Sequence, residues 1–169
     1  VYQGAPSPVT GWMASVAKAA GFAALLRIFF AAFASHQIDW SPIVSVLASV
    51  TLIVGAVMAI LQTDVKRMLA FSSVSHAGYV LVAVQSATAQ GTAAALFYLF
   101  TYTFMVLGTF AVVGAMGPDD DHPLANYAGL GRSRPLVAIA FTVLLLGVAG
   151  IAPTSGFIGK IQVFAAAVN

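Results

Sequence analysis

The chain has 169 residues, of which 60% are hydrophobic and 7% charged, against about 25% charged in an ordinary soluble domain. With a mean hydropathy of +0.97, too little polar side chain remains to cover a water-facing surface, which excludes a soluble globular domain. The absence of Cys and the scatter of His36, His76 and His122 leave no metal or redox-cofactor ligand set, and a net charge of +2 without a basic run points away from nucleic acid.

The opening VYQGAPSPV has no initiating Met and no basic signal-peptide region, so it reads as an internal piece of a longer polypeptide. The first apolar segment, 8–33, is long enough to cross ~30 Å of hydrocarbon as a helix. It carries Lys18 about 15 Å from its nearer boundary, at ~1.5 Å per residue. Snorkelling does not cover that distance, and a central Lys costs about 2.5–3.5 kcal/mol, so Lys18 is a candidate proton-handling group facing a hydrated interior. Arg27 falls on the opposite face near the helix end, where it can snorkel.

A turn-like SHQIDWSP at 35–42 leads to a second apolar segment, 42–62, and QTDVKR at 62–67 leads to a third, 68–86. On this third segment Ser72, His76 and Tyr79 share a face, with Ser73 adjacent. His76 reads either as a relay group that titrates near neutral pH or as a core histidine bonded to a serine. After QSATAQG at 85–91, the fourth segment, 91–116, repeats Tyr98, Thr101, Tyr102, Met105 and Thr109 at helical spacing. That stripe favours helix packing over a pathway.

The connection 117–135 contains Asp119, Asp120, Asp121 and His122, a solvated cluster without metal-ligand spacing. Its GLGRSR lacks the third glycine and preceding strand of a nucleotide site. Pro8, Pro42 and Pro135 sit near helix beginnings, where a missing N–H costs little. The last segment, 136–169, would measure about 51 Å as one helix, more than the bilayer core. Its GIAPTSG at 150–156 gives either two half-helices broken near 151–156 or a proline kink. Lys160 stands one turn beyond, where a charge beside unwound backbone is the arrangement of an ion site.

The fold class is therefore all-α: one membrane domain over 1–169, with five transmembrane helices, the last interrupted. No membrane segment contains Asp or Glu, so a protonated Lys18 or Lys160 lacks a carboxylate partner within this chain. Lys66, Arg67, Arg132 and Arg134 lie in the connections at 63–67 and 117–135, while those at 34–41 and 87–90 have no Lys or Arg. The first pair is then expected to be cytoplasmic.

VYQGAPSPV at 1–9, ASVAKAAGFAALLR at 14–27, QTDVKRMLAFSSVSHAGYVLV at 62–82, NYAGLGRSRPL at 126–136 and GIAPTSGFIGK at 150–160 closely resemble the antiporter-like membrane subunits of proton-pumping NADH:quinone oxidoreductase, respiratory complex I. The resemblance implies helices eight to twelve of a fourteen-helix subunit, the second of two inverted five-helix repeats. It also implies that Lys18 is the central-channel lysine, that Lys160 is the lysine of the interrupted twelfth helix on the output side, and that Lys66 and His76 belong to a tenth-helix motif as relay candidates. The family's input carboxylate and lysine, on helices five and seven, lie outside this chain.

By the same resemblance this chain holds no cofactor, with NADH, flavin, iron–sulfur clusters and quinone handled by other subunits. Its partners would be the other membrane subunits of the complex, the lipid bilayer and protons, in a bacterial plasma membrane. A cation/proton antiporter subunit and a passive membrane scaffold are the alternatives.

Overall fold

The computed structural model describes residue 2, residues 4–117 and residues 122–168. Asp119, Asp120 and Asp121 of the acidic cluster lie outside the described residues. Long helices carry almost all of the rest: α1 (Ser7–Ala32), α2 (Gln37–Ile60), α3 (Val65–Gln85), α4 (Ala89–Ala115), α5 (Pro135–Ala149) and α6 (Ser155–Val168). The first four are long and apolar enough to cross a membrane, and α5 and α6 are two shorter apolar pieces. The chain is thus an all-α, multi-pass membrane protein whose fifth passage is interrupted.

Local chemistry sets the helix ends. Asp64 caps α3 by accepting from Arg67 N–H at 2.9 Å, and Thr88 caps α4 by accepting from Gly91 N–H at 2.9 Å. Gly150 closes α5 in a left-handed conformation, φ 78°, with the Gly150 and Ile151 amides both donating to the Leu146 carbonyl. Residues 151–154 then run outside the helix until Ser155 starts α6. The two pieces stay in close contact because Gly156 has no Cβ to strike the Gly147 carbonyl.

Two elements depart from the sequence expectation. The second helix starts at Gln37, so Pro42 lies inside it and not at its beginning. The earlier start is held by Trp40, whose indole N–H donates to the Phe33 carbonyl at 2.9 Å while its ring meets Phe29 edge-on at 4.6 Å. Asp39 in the first turn, paired with His36 at 3.4 Å, adds a favourable charge at the helix N-terminus. Helix α1 also contains two π-helical turns, Met13–Ala17 and Ile28–Ala32, the first ending immediately before Lys18.

Helix α4 is central and packs against α1, α3, α5 and α6, while α2 packs almost wholly on α3. That hairpin is tight because Gly55 lies against the Ser75 backbone and Gly78 against Leu52. Two apolar clusters fill the bundle. One contains Val84, Ala95, Tyr98 and Val163, and the other contains Val65, Tyr102, Phe110 and Val113.

The connections before and after the α3–α4 hairpin meet at one end of the bundle. The Val65 amide donates to the His122 carbonyl at 2.8 Å, the Leu124 amide to the Thr63 carbonyl at 2.9 Å, and the His122 amide to Asp64 Oδ2 at 2.9 Å. Tyr127 stacks on Phe141 at 5.5 Å. Burial, with the nearby Asp64 carboxylate adding to it, pushes its phenol up to about 12.

Candidate functional site

Polar groups gather at mid-height, between the two apolar clusters. Lys18 leaves α1 just after the first π-turn, a local widening often found at functional positions. Its half-buried ammonium donates to the Ser73 carbonyl and, at 3.0 Å, to Ser73 Oγ. The same Nζ lies 5.9 Å from the centre of the Tyr102 ring, a distance at which a ring face still attracts a cation.

Beyond Tyr102 stands a layer of rings. His76 is buried, its ring 4.7 Å from Tyr102 and 6.0 Å from both Tyr79 and Tyr98. Its Nδ1 is 2.6 Å from the Tyr98 hydroxyl. A phenol is a donor that must find an acceptor when buried, and among the described residues His76 is the only acceptor recorded for it. We therefore assign Nδ1 as acceptor and Nε2 as the protonated nitrogen.

Lys160 closes the row from α6. Its ammonium donates to the Ala149 carbonyl at 2.7 Å and the Val148 carbonyl at 3.3 Å, and it sits over the Tyr79 ring at 4.7 Å. These carbonyls are exposed because α5 stops at Gly150. The negative end of the helix dipole thus does part of the work of a carboxylate. Ser72, Ser75, His76, Tyr79 and Lys160 border one open cleft of about 320 Å³, wide enough to admit water beside these polar groups. His76 and Lys160 accordingly border one space, whose polar groups stand among apolar residues such as Ile60, Met68, Leu69 and Leu145.

Of the residues marked by the sequence, the structure brings Lys18, His76 and Lys160 into this row but not Lys66. Lys66 lies in the first turns of α3, about 15 Å along the helix from His76. It is buried there, and its ammonium donates to the Ala5 carbonyl at 2.8 Å. Arg27 is exposed. Among the described residues His76 bonds to a tyrosine and not to a serine. The α4 stripe divides: Thr101 and Thr109 bond back to carbonyls of their own helix, whereas Tyr98 and Tyr102 enter the row. Tyr79, Tyr98 and Tyr102 are the members that sequence reasoning undervalued. Their helical periodicity alone does not tell a packing ring from one facing a histidine.

Residues 1–169 match the model of the NADH:quinone oxidoreductase/Mrp antiporter transmembrane family. Curated relatives include NADH-quinone oxidoreductase subunit N of Trichlorobacter lovleyi, 49% identical over 100% of this chain and 35% of its own length. Subunit N 3 of Streptomyces griseus is 50% identical over 99% of this chain and 30% of its own length. Among solved structures, respiratory complex I from Thermus thermophilus aligns with a TM-score of 0.84 at 39% identity, covering 99% of this chain and 36% of that one. An archaeal membrane-bound sulfane sulfur reductase aligns with a TM-score of 0.87 at 26% identity, covering 99% of this chain and 35% of that one. The chain spans about a third of the length of the curated relatives it matches.

Proposed function

The chain belongs to the NADH:quinone oxidoreductase/Mrp antiporter transmembrane family, and from that premise we propose that it is the central and exit part of a proton path in subunit N of a proton-pumping NADH:quinone oxidoreductase. The observation that carries this reading is the row Lys18, Tyr102, His76, Tyr79 and Lys160, which crosses the bundle at mid-height and contains no carboxylate. Each lysine is held by oxygen acceptors and is able to exist as ammonium or amine, so each can take a proton and give it up. His76 can pass one between ring nitrogens. Water in the cleft bridges the gap from His76 to Lys160. Lys66 anchors the N-terminal stretch to the start of α3 and holds that end of the bundle together.

This chain contributes proton transfer to a translocase and no redox chemistry. NADH, flavin, iron–sulfur clusters and quinone belong to other subunits, whose conformational or electrostatic signal drives the row. Other membrane subunits and lipid would cover the apolar faces, above all that of α2. Against the antiporter alternative stand relatives such as subunit N of Trichlorobacter lovleyi and subunit N 3 of Streptomyces griseus, 49% and 50% identical. Purification of the assembly through a tag on this subunit tests the choice: flavin and iron–sulfur proteins should co-purify. An assembly without them would establish the antiporter reading instead.

The membrane is a bacterial plasma membrane, with the 63–67 and 117–135 connections in the cytoplasm. In support, both connections meet at the same end of the bundle, and Arg67, Arg132 and Arg134 are exposed there while Lys66 is not. A Cys placed at Ser133 in this Cys-free chain should resist an impermeant reagent added outside intact cells. Rapid labelling would invert the topology.

A further inference from the structure

We infer that Tyr98 couples the position of half-helix α6 to the proton chemistry of His76, with Gly159 as the surface on which its ring bears. The inference deepens the relay reading of His76 and names two positioning residues for it. Tyr98 is fully buried and confined on several sides. His76 and Tyr79 lie at 6.0 and 5.8 Å between ring centres, and Tyr102 lies nearly parallel at 6.4 Å. On the α6 side the ring occupies the space left by a missing side chain: a Cβ at Gly159 would stand 2.8 Å from Tyr98 Cδ2 and 3.6 Å from Cε2. Real Cβ atoms essentially never come that close, so the ring sits where it does because residue 159 is glycine. Val163, one turn on, and Ala166 are buried in the same cluster.

Gly159 is the immediate neighbour of Lys160. A movement of α6 that draws the Lys160 ammonium away from the Ala149 carbonyl carries the Gly159 backbone with it, and so shifts the surface on which the Tyr98 ring bears. Because packed interiors yield in discrete steps, the ring follows, and its hydroxyl is the group that engages His76 Nδ1. With the bond made, Nδ1 is occupied and exchange is confined to Nε2. With it broken, Nδ1 becomes a free acceptor. The position of Lys160 is thereby reported to His76 through a rigid ring, with no direct contact between the ammonium and the imidazole required.

The test is solid-state nitrogen NMR of the full-length subunit in lipid bilayers with 15N-histidine, the His76 signals being identified by their loss in His76→Gln. The parent should show Nδ1 as a hydrogen-bonded acceptor and Nε2 as protonated. Tyr98→Phe keeps the ring and should move the Nδ1 signal downfield, to the position of an unbonded ring nitrogen. Gly159→Ala, which leaves the hydroxyl in place, should move it the same way, and should add nothing in the Tyr98→Phe background. A Gly159→Ala spectrum superimposable on the parent's overturns the coupling, as does an undiminished further shift in the double variant. Should Gly159→Ala not accumulate in the membrane, Val163→Ala loosens the buried cluster that holds Tyr98 on the α6 side and should split or broaden the Nδ1 signal, and an unchanged signal again overturns it. The spectra need no turnover. If they behave as described while His76→Gln still pumps, the coupling stands and only the relay reading falls.

Discussion

The two lysines at the ends of the polar row are held in opposite ways. Lys18 projects from a continuous helix and finds its acceptors on a neighbouring helix, one of them a side-chain hydroxyl. Lys160 follows a break in its own passage and rests on the backbone carbonyls left open by that break. Inside a regular helix in lipid each carbonyl already accepts a backbone amide. Its second lone pair serves short local donors such as the Thr101 and Thr109 hydroxyls, not the end of a long lysine side chain. A buried ammonium must therefore either borrow from a neighbour or sit where the helix has been opened. The first solution depends on helix packing, the second on one glycine and the length of the gap.

The largest expected effect comes from removing the borrowed site altogether. Lys18→Ala should lower NADH-driven proton translocation by about 10²-fold, the scale of a lost proton-transfer group. Assembly should be intact, since loss of a mid-membrane charge relieves an insertion cost. Normal pumping by a fully assembled variant would exclude Lys18 from the path.

At the opened helix, Gly150→Ala should act on stability first. Residue 150 has φ 78°, and a Cβ there would lie 2.7 Å from Lys160 Cδ. The left-handed conformation alone costs about 1–2 kcal/mol. Thermal unfolding of the detergent-solubilised assembly should show the loss, with pumping reduced several-fold as Lys160 is displaced. Unchanged stability and pumping would mean that the break does not hold the lysine.

Ser73→Ala probes the first solution more gently, because the Ser73 carbonyl remains available to Lys18. The loss should be about 1 kcal/mol, seen as a fall in pumping of about fivefold. Arg27→Gln should be smallest, within about 0.5 kcal/mol in stability and without effect on pumping, as for an exposed side chain. A large effect there would mean that Arg27 meets a partner outside this chain.

The contrast between the lysines also marks what was legible in the sequence. Composition and segment length identify the membrane class, and the excess length of 136–169 together with Pro153 and two glycines locates the interruption. Lys18 and Lys160 stand out because each is a charge within an apolar run. What holds Lys18 was not legible. The approach of Ser73 depends on how α1 and α3 pack, and the π-turn before Lys18 has no sequence signature. Tyr98 was hidden for the same reason: only the register between α3 and α4 places its hydroxyl on His76. The start of α2 was misplaced by reading Pro42 as a helix opening, when Trp40 and Asp39 fix an earlier one. The place of Lys66 was not legible either: its ammonium meets the Ala5 carbonyl near the start of α3, away from the row, and that contact depends on how the N-terminal stretch packs.

Lys160→Arg tests the central claim most directly, by keeping the charge while forbidding its release. Guanidinium stays protonated at any accessible pH, yet it can still bond to carbonyls. Proton translocation per electron pair should be measured in inverted membrane vesicles carrying the fully assembled variant. If Lys160 gives up its proton during turnover, translocation should collapse while assembly remains at the parent level. Full translocation with Arg at 160 would show that the position needs only a positive charge, and that the row from Lys18 to Lys160 does not conduct protons by way of its last member.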